Sequence, residues 1–573
     1  MGSCWCKATM RNEEDVYGPS TSAEWPLTIS CVDPSSKSPK IDSAVVDQLV
    51  KEMLSLISSF VDNDEESPVS LVKLHVIADK EEGWIQVISS LINVIPLEDP
   101  FGPSAITILL DDCPLPSKDS VVKVTKLFRL CAGRTRARDL NLRIERNICV
   151  VIGCMAEKMA GPNSVAIFTE NTLDYLFSFL MSRQEACIVL FALIALEKFA
   201  HTTENKLTIK SRLEKEAENP LLVLETYADC DDFVWRQVGF CAKWALDNLF
   251  IVEGRKLSYE LADMSNINVI LNCQDVSEYL KISANGLEAR CDSFSFESVR
   301  CTFQVDQGCW YYEALIVTPG VMQIGWATRN SHFLNHGPVA LHRGDVARGV
   351  TGLPPLTDRT VRTRFPLARA SVSMPREPVD RPIHWEGYGI GDDLFSLSYD
   401  GCRRLIWYKA RPMAITEVPP WQAGDVLGCL IDLDRKELIF SLNGAPLPPC
   451  KEIFEISRYG FFAAASFMAF QQCRFNFGNE PFSFPPTDRK FAAFNEFGQL
   501  TDEQKKVLPR RLYLEDLKCE TVRDDSCTLC FDDTACCMLE PCGHGGFCSL
   551  CTSQLRECPM CRADIVNIRR EDT

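Results

Sequence analysis

The sequence predicts a multidomain chain: an α-helical N-terminal region, an antiparallel β-sandwich and a small cysteine-rich C-terminal unit. Three observations carry this reading. Over residues 41–255 apolar side chains recur at helical spacing, over 275–485 the period falls to two, and ten of the 28 cysteines lie in the last 55 residues. At 573 residues the chain is also too long for one core, since domains run to roughly 100–200 residues.

The helical reading starts at Asp42-Ser43, which precede the amphipathic stretch AVVDQLVKEMLSLISSFV. It continues through RNICVVIGCMAEKMAG and ACIVLFALIALEKFAHTTENK. Trp235, Val238, Cys241, Trp244, Ala245 and Leu249 then recur at the 3.6-residue period, which reads as a core stripe. Pro96, Pro100, Pro103 and Gly161-Pro162 punctuate the helices. Segment 186–200 is apolar almost all round and is expected to be a buried helix. Several short helices around one apolar helix suggest an armadillo/HEAT-like stack.

The sandwich reading rests on WYYEALIV (310–317), MQIGWAT (322–328), LFSLSYD (394–400), RLIWYKA (404–410), DVLGCLIDLD (425–434) and ELIFSLNG (437–444). Asp400-Gly401 and Asn443-Gly444 are hairpin signals between them. Many short strands with turns between them make a β-sandwich. These stretches, with GYGIGDD and GFFAAASF, resemble a SPRY domain. That family is a twisted antiparallel sandwich whose surface loops bind segments of partner proteins, and it has no catalytic apparatus. On the resemblance, Tyr311, Trp326 and Trp407 are the candidate partner-contacting aromatics; burial in the core is the competing reading.

Residues 337–385 break the pattern. They hold seven prolines, eight arginines, no lysine and no cysteine, and follow neither period. Such a segment cannot bury enough surface to fold alone and is expected to be a disordered basic loop. A basic partner-binding arm is the sharper alternative. Residues 1–40 are polar and rich in Ser and Pro, and are likewise expected to be disordered. Gly2, with Cys4 and Cys6 nearby, resembles a myristoylation site flanked by palmitoylation cysteines, although position 6 departs from the usual Ser/Thr. Residues 486–522 read as a helical connector, with Thr501 and Gln504 in a capping-box spacing that opens a charged helix, TDEQKKVLPRR.

Composition bounds the function. A net charge of −18 argues against non-specific nucleic-acid binding, which needs a basic footprint. The opening residues contain no apolar signal segment, and the best apolar runs, 186–196 and 460–470, fall short of the ~18–20 residues a bilayer requires. A cytoplasmic location is therefore expected, with membrane association only if the N-terminus is lipidated. Secretion is the alternative if an upstream start adds a signal peptide. In a reducing compartment the cysteines serve as thiols or metal ligands rather than as a disulfide framework.

The C-terminal unit, 523–565, spaces its ligands as Cys527-x2-Cys530-x11-Cys542-x1-His544-x3-Cys548-x2-Cys551-x6-Cys558-x2-Cys561. Zinc takes four soft ligands in a tetrahedron, and a C-x2-C turn sets two thiolates on one ion. Eight ligands in four pairs therefore suit two Zn2+ ions, which a segment this short needs as staples. A disulfide cluster and a Cys/His catalytic pair are the competing readings.

The spacing resembles the RING finger, and the short x6 interval resembles the compact C-terminal RINGs of inhibitor-of-apoptosis and neuralized-type ligases. The resemblance implies an interleaved assignment: Cys527, Cys530, Cys548 and Cys551 on one ion, Cys542, His544, Cys558 and Cys561 on the other. It also implies recruitment of a ubiquitin-conjugating enzyme charged with ubiquitin through Leu529, Leu555, Pro559 and Met560. Arg562 would bridge enzyme and ubiquitin, its guanidinium offering several donors in a fixed fork. Together with EYLKIS and GLEARCDSFSFESVRCTF at the sandwich entry, the order of parts is similar to the family that couples a SPRY domain to a C-terminal RING-type ubiquitin ligase. That family implies a protein substrate or partner held by SPRY. A non-catalytic zinc-binding adaptor is the alternative.

Overall fold

The computed structural model describes residues 42–57, 68–114, 117–127, 141–159, 161–183, 185–293, 295–331, 389–455, 460–521, 527, 535–553, 555, 557–559 and 563–570. The expectations for 1–40, for Gly2, Cys4 and Cys6, and for 337–385 lie outside these residues. The chain divides into two compact units, one of residues 1–252 and 262–505, the other of 253–261 and 506–573.

The helices are α1 (Ser43–Ile57), α2 (Val69–Ala78), α3 (Glu81–Val94), α4 (Gly102–Asp112), α5 (Lys118–Leu127), α6 (Leu142–Lys158), α7 (Pro162–Ile167), α8 (Glu170–Ser182), α9 (Ala186–Phe199), α10 (Thr203–Lys215), α11 (Pro220–Leu224), α12 (Phe233–Asn248) and α13 (Ser258–Leu261), the last in the second unit. Their starts follow local chemistry. The side chains of Asn141, Thr169 and Asp232 accept the first free N–H groups of α6, α8 and α12. Pro103 and Pro162 occupy first-turn positions, where no N–H is missed. As its composition predicts, α9 is buried from Ile188 to Phe199 and packs against α6, α8 and α12.

The described strands of the first unit form two sheets. In chain order they are β1 (Leu271–Val276), β2 (Leu280–Ile282), β3 (Glu288–Cys291), β4 (Glu297–Cys301), β5 (Cys309–Ile316), β6 (Met322–Thr328), β7 (Ser396–Asp400), β8 (Leu405–Tyr408), β9 (Arg411–Ala414), β10 (Val426–Asp432), β11 (Glu437–Leu442), β12 (Ala445–Pro446), β13 (Phe461–Phe467), β14 (Gln471–Asn476) and β15 (Ala492–Ala493). One sheet runs β1-β4-β13-β6-β7-β8-β9, the other β12-β11-β10-β5-β14-β3-β2 with β15 added parallel on β5. All other pairings are antiparallel. Asn443 and Gly444, both at positive φ, make the two-residue turn between β11 and β12 that their pairing predicts.

The helices and the sandwich share one apolar core. Val321, Met468, Ala469 and Phe470, from loops at one end of the sandwich, are buried in the helical cluster. The Phe470 ring meets Phe191 of α9 edge-on at 5.1 Å, and Ser104 of α4 donates to the Ala469 carbonyl at 3.0 Å.

A buried charge network crosses the same boundary. Lys281 of β2 donates to Glu197 of α9 at 2.6 Å and to Asp292 at 2.7 Å. Arg290, fully buried on β3, donates to Asp292, to Gln237 of α12 and to Gln472 of β14. Burial pushes the Asp292 carboxyl up, and the Arg290 and Lys281 charges outweigh it and hold it well below the usual carboxylate range. Burial pushes the Lys281 ammonium down, and Asp292 and Glu197 more than offset this.

The connector corrects one expectation. Thr501 and Gln504 do exchange backbone-to-side-chain hydrogen bonds, at 3.0 and 3.1 Å, as a capping box requires. The chain nevertheless makes only a turn there, and the helix begins at Arg510. Pro509 is the reason: it disfavours the helical conformation of the residue before it and brings no N–H to a continuing helix. Among the described residues no helix is long and apolar enough to cross a membrane.

Candidate metal centre and protein-binding module

In the second unit, α15 (Arg510–Thr521) precedes a three-stranded sheet of order β17-β16-β18, with β16 at Cys537–Glu540, β17 at His544–Phe547, β18 at Asn567–Arg570 and the one-turn helix α16 at Ser549–Thr552; α14 (Phe494–Phe497) belongs to the first unit. The apolar centre is small. Leu539 and Phe547 are buried with Cys527, Cys548 and Cys558, and Leu555 and Ile565 pack around them. So small a centre cannot carry a fold alone.

The cysteines and the histidine gather in two groups. The ligand atoms of Cys527, Cys548 and Cys551 lie within 4.8 Å of one another, and those of Cys542, His544 and Cys558 do the same. His544 Nδ1 is 3.6 Å from Cys558 Sγ. Cys548 is the N-cap of α16, and its sulfur accepts the Cys551 N–H at 3.4 Å, which folds the C-x2-C pair onto one point. The chain leaves one group at His544 and enters the other at Cys548, and Gly546 makes this passage at φ 90°, a left-handed conformation that disfavours a side chain. Cys536 and Cys537 belong to neither group.

The donor chemistry fits zinc: one group is all sulfur, the other combines sulfur with imidazole, and each lacks only a position that sequence spacing supplies. Those two positions, Cys530 and Cys561, lie outside the described residues, as do Leu529, Met560 and Arg562. Of the remaining apolar positions, Pro559 is exposed and Leu555 is half-buried against the small core.

The aromatic candidates of the sandwich need correction as a contact surface. Tyr311, Trp326 and Trp407 are 1%, 0% and 4% exposed. Trp326 packs on Tyr312 and Phe494, with centroids at 5.2 and 5.8 Å. Tyr311 donates to the Phe484 carbonyl at 2.8 Å and sits among Phe482 and Phe491. Trp407 lies beneath the Arg403 guanidinium at 5.0 Å. Alternation turns Tyr312 toward Trp326 and its neighbour Tyr311 to the other face of β5, where Phe482 and Phe491 cover it. Trp326→Ala is therefore expected to lower the stability of the first unit by about 3–5 kcal/mol, read as a shift in urea midpoint, rather than to remove binding selectively.

Sequence reasoning missed the charge network. Its signal was present in EARCD, where Glu288, Arg290 and Asp292 alternate at period two inside an otherwise buried strand region.

Known proteins place both modules. A SPRY domain profile matches residues 309–480, and a profile for the zinc finger, C3HC4 type (RING finger), matches 523–568. The chain carries a SPRY domain and a C-terminal RING finger. It is 28% identical over 193 residues to E3 ubiquitin-protein ligase RKP of Arabidopsis thaliana, covering 33% of this chain and 11% of RKP. It is 38% identical over 42 residues to the putative RING finger protein 157L of Invertebrate iridescent virus 6, covering 7% of this chain and 28% of that protein. The chain thus spans about a tenth and about a quarter of these relatives. Among solved structures, the SPRY domain of human HERC1 and the TRIM65 PSpry domain each match at 12% identity, TM-score 0.23 and 36% of this chain, covering 96% and 89% of those chains. The two Cys/His groups and the RING profile are consistent with two Zn2+ ions.

Proposed function

We propose that this protein is a RING-type E3 ubiquitin-protein ligase, in which the RING recruits a ubiquitin-charged conjugating enzyme and the SPRY module holds a protein partner. The observation that carries the reading is the interleaving of the two ligand groups: His544 lies beside Cys558, fourteen residues on, while Cys548, four residues on, belongs with Cys527. On this reading Cys527, Cys530, Cys548 and Cys551 hold one zinc, and Cys542, His544, Cys558 and Cys561 hold the other. Four protein ligands close each site, so zinc supplies folding energy and no open position for chemistry.

The chemistry is positional. Leu529, Leu555, Pro559 and Met560 form the contact for the conjugating enzyme, and Arg562 bridges that enzyme and ubiquitin. Holding the thioester in an attack-ready arrangement raises the rate without a nucleophile from this chain, because the substrate lysine attacks. The similarity to RKP, itself named an E3 ubiquitin-protein ligase, supports the assignment.

The test is autoubiquitination with a panel of conjugating enzymes. Arg562→Ala is expected to slow chain formation by about ten- to a hundredfold, the worth of a charge-assisted hydrogen bond, while leaving zinc content at two. Absence of chains from the intact protein with every enzyme would leave the adaptor role in its place.

A further inference from the structure

The hairpin of β8 and β9 ends the seven-stranded sheet, and β9 has no further strand beside it among the described residues. Residues 401–416 around it contain four basic side chains and no acidic one, in a chain of net charge −18. Arg403 is committed: it pairs with the buried Asp400 and covers Trp407. Arg404, Lys409 and Arg411 form no ion pair among the described residues, and Lys409 lies over the Tyr408 ring at 4.9 Å. Elsewhere in the sandwich, Arg290, Arg300, Arg435, Arg474 and Arg489 are all ion-paired.

The backbone here is unusual as well. Arg404, Lys409 and Ala410 have φ of 60°, 58° and 53°, where glycine or asparagine is normally found. The Lys409-Ala410 turn is held there by hydrogen bonds to the Asp393 and Gly391 carbonyls, at 3.2 and 3.1 Å. Strained non-glycine turns held by their surroundings cluster at ligand-binding positions. Met413, 46% exposed, and the half-buried Tyr408 sit between the cations and add the residue types that interface centres favour. The register places the Lys409-Ala410 turn and Arg411 at the Thr328 end of the sheet, while Arg404, next to Leu405, lies toward the Met322 end, so the three cations are spread along the length of the hairpin.

We propose that this edge hairpin is the docking surface for an acidic, extended segment of a partner protein, gripped by Arg404, Lys409 and Arg411. This rests on the reading of the SPRY module as the partner-binding part and names the chemistry of the partner. A protein segment fits better than a nucleic acid. Three cations neutralise few phosphates, and the chain's net charge of −18 disfavours a polyanion of high charge density. Side chains rather than backbone make the contact, since Pro412 brings no N–H to the sheet edge. Lysine and proline on an edge strand also guard against aggregation, and the experiment separates the two roles.

The full-length protein is titrated against a fluorescein-labelled (Glu-Ala-Asp-Ser)3 peptide and its uncharged counterpart (Gln-Ala-Asn-Ser)3. The acidic peptide is expected to bind about tenfold more tightly, with a preference that fades as salt rises. The R404Q/K409Q/R411Q variant, which keeps side-chain length and hydrogen bonding, is expected to lose that preference with its unfolding midpoint unchanged. If the triple variant does not fold, Arg411→Glu alone, at an exposed position, is expected to weaken the acidic peptide several-fold. Equal affinity for the two peptides overturns the proposal. So does a preference that survives these substitutions, a variant that only aggregates with peptide binding intact, or tighter binding of single-stranded oligouridylate. Chain formation is assayed in the same preparations. Ubiquitin chains without acidic-peptide binding reject the docking surface and leave the ligase reading standing; peptide binding without chains does the reverse.

Discussion

Removing zinc is expected to unfold the C-terminal unit and leave the helix–sandwich unit folded. The apolar centre around Leu539 and Phe547 is too small to hold residues 527–570 together. Structural zinc contributes about 10–16 kcal/mol in finger-sized domains, as much as the whole stability of an ordinary domain. A strong chelator should therefore abolish dispersed NMR signals from the RING while the urea transition of the first unit stays in place. His544→Ala should lower bound zinc from two ions to one by elemental analysis and abolish ubiquitin chains. Cys536→Ser, outside both groups, should do neither. A chelated protein that keeps a folded C-terminal unit would show that the two groups are not metal sites.

Lys281→Ala should be among the most damaging single changes in the first unit. It leaves Glu197 and Asp292, 4% and 5% exposed, facing each other without their shared cation. Stranding a buried charge in this way costs about 3–5 kcal/mol, a large part of a domain's margin. The effect has a pH window set by the direction of each shift. Asp292 is held below its ordinary pKa, so its contribution is present above about 3.9 and is lost as pH falls below that. Lys281 is held above its ordinary value, so its contribution is present below about 10.4 and is lost only in stronger alkali. The difference between wild type and Lys281→Ala should thus be greatest between about pH 5 and 9 and narrow in acid. Urea unfolding at pH 7 and pH 3 reads this directly. A loss under about 1 kcal/mol at pH 7, the worth of an exposed pair, would mean that the network adds specificity rather than stability.

The two features were unequally visible in the sequence. The four ligand pairs were legible from spacing, because a C-x2-C turn sets two sulfurs at one point whatever surrounds it, whereas which pairs share an ion came from the resemblance to the RING finger. Strand positions such as 322–328 and the Asn443-Gly444 turn were legible for the same reason, since side-chain alternation and positive φ are properties of short segments. The connector misled because the capping box formed without its helix. A first turn propagates only if the next residues can continue it, and here Pro509 cannot. The aromatic candidates stood open between partner contact and core burial, because alternation says that two faces exist without saying which is buried, and the structure buries all three.

By itself, then, the sequence determined the kinds of elements in this chain, their order, the spacing of the eight candidate zinc ligands and the acidic character that argues against a nucleic-acid scaffold. Tertiary structure alone decided that α9 and the loop at Met468–Phe470 bury one another, and that Lys281 meets a glutamate 84 residues away. It also decided that Tyr311, Trp326 and Trp407 are buried, while Arg404, Lys409 and Arg411 find no ion pair among the described residues at the sheet edge. The physical reason is range. Turn chemistry, periodicity and ligand spacing act within a few residues, whereas burial and charge pairing depend on which distant surfaces meet, and no local pattern encodes that.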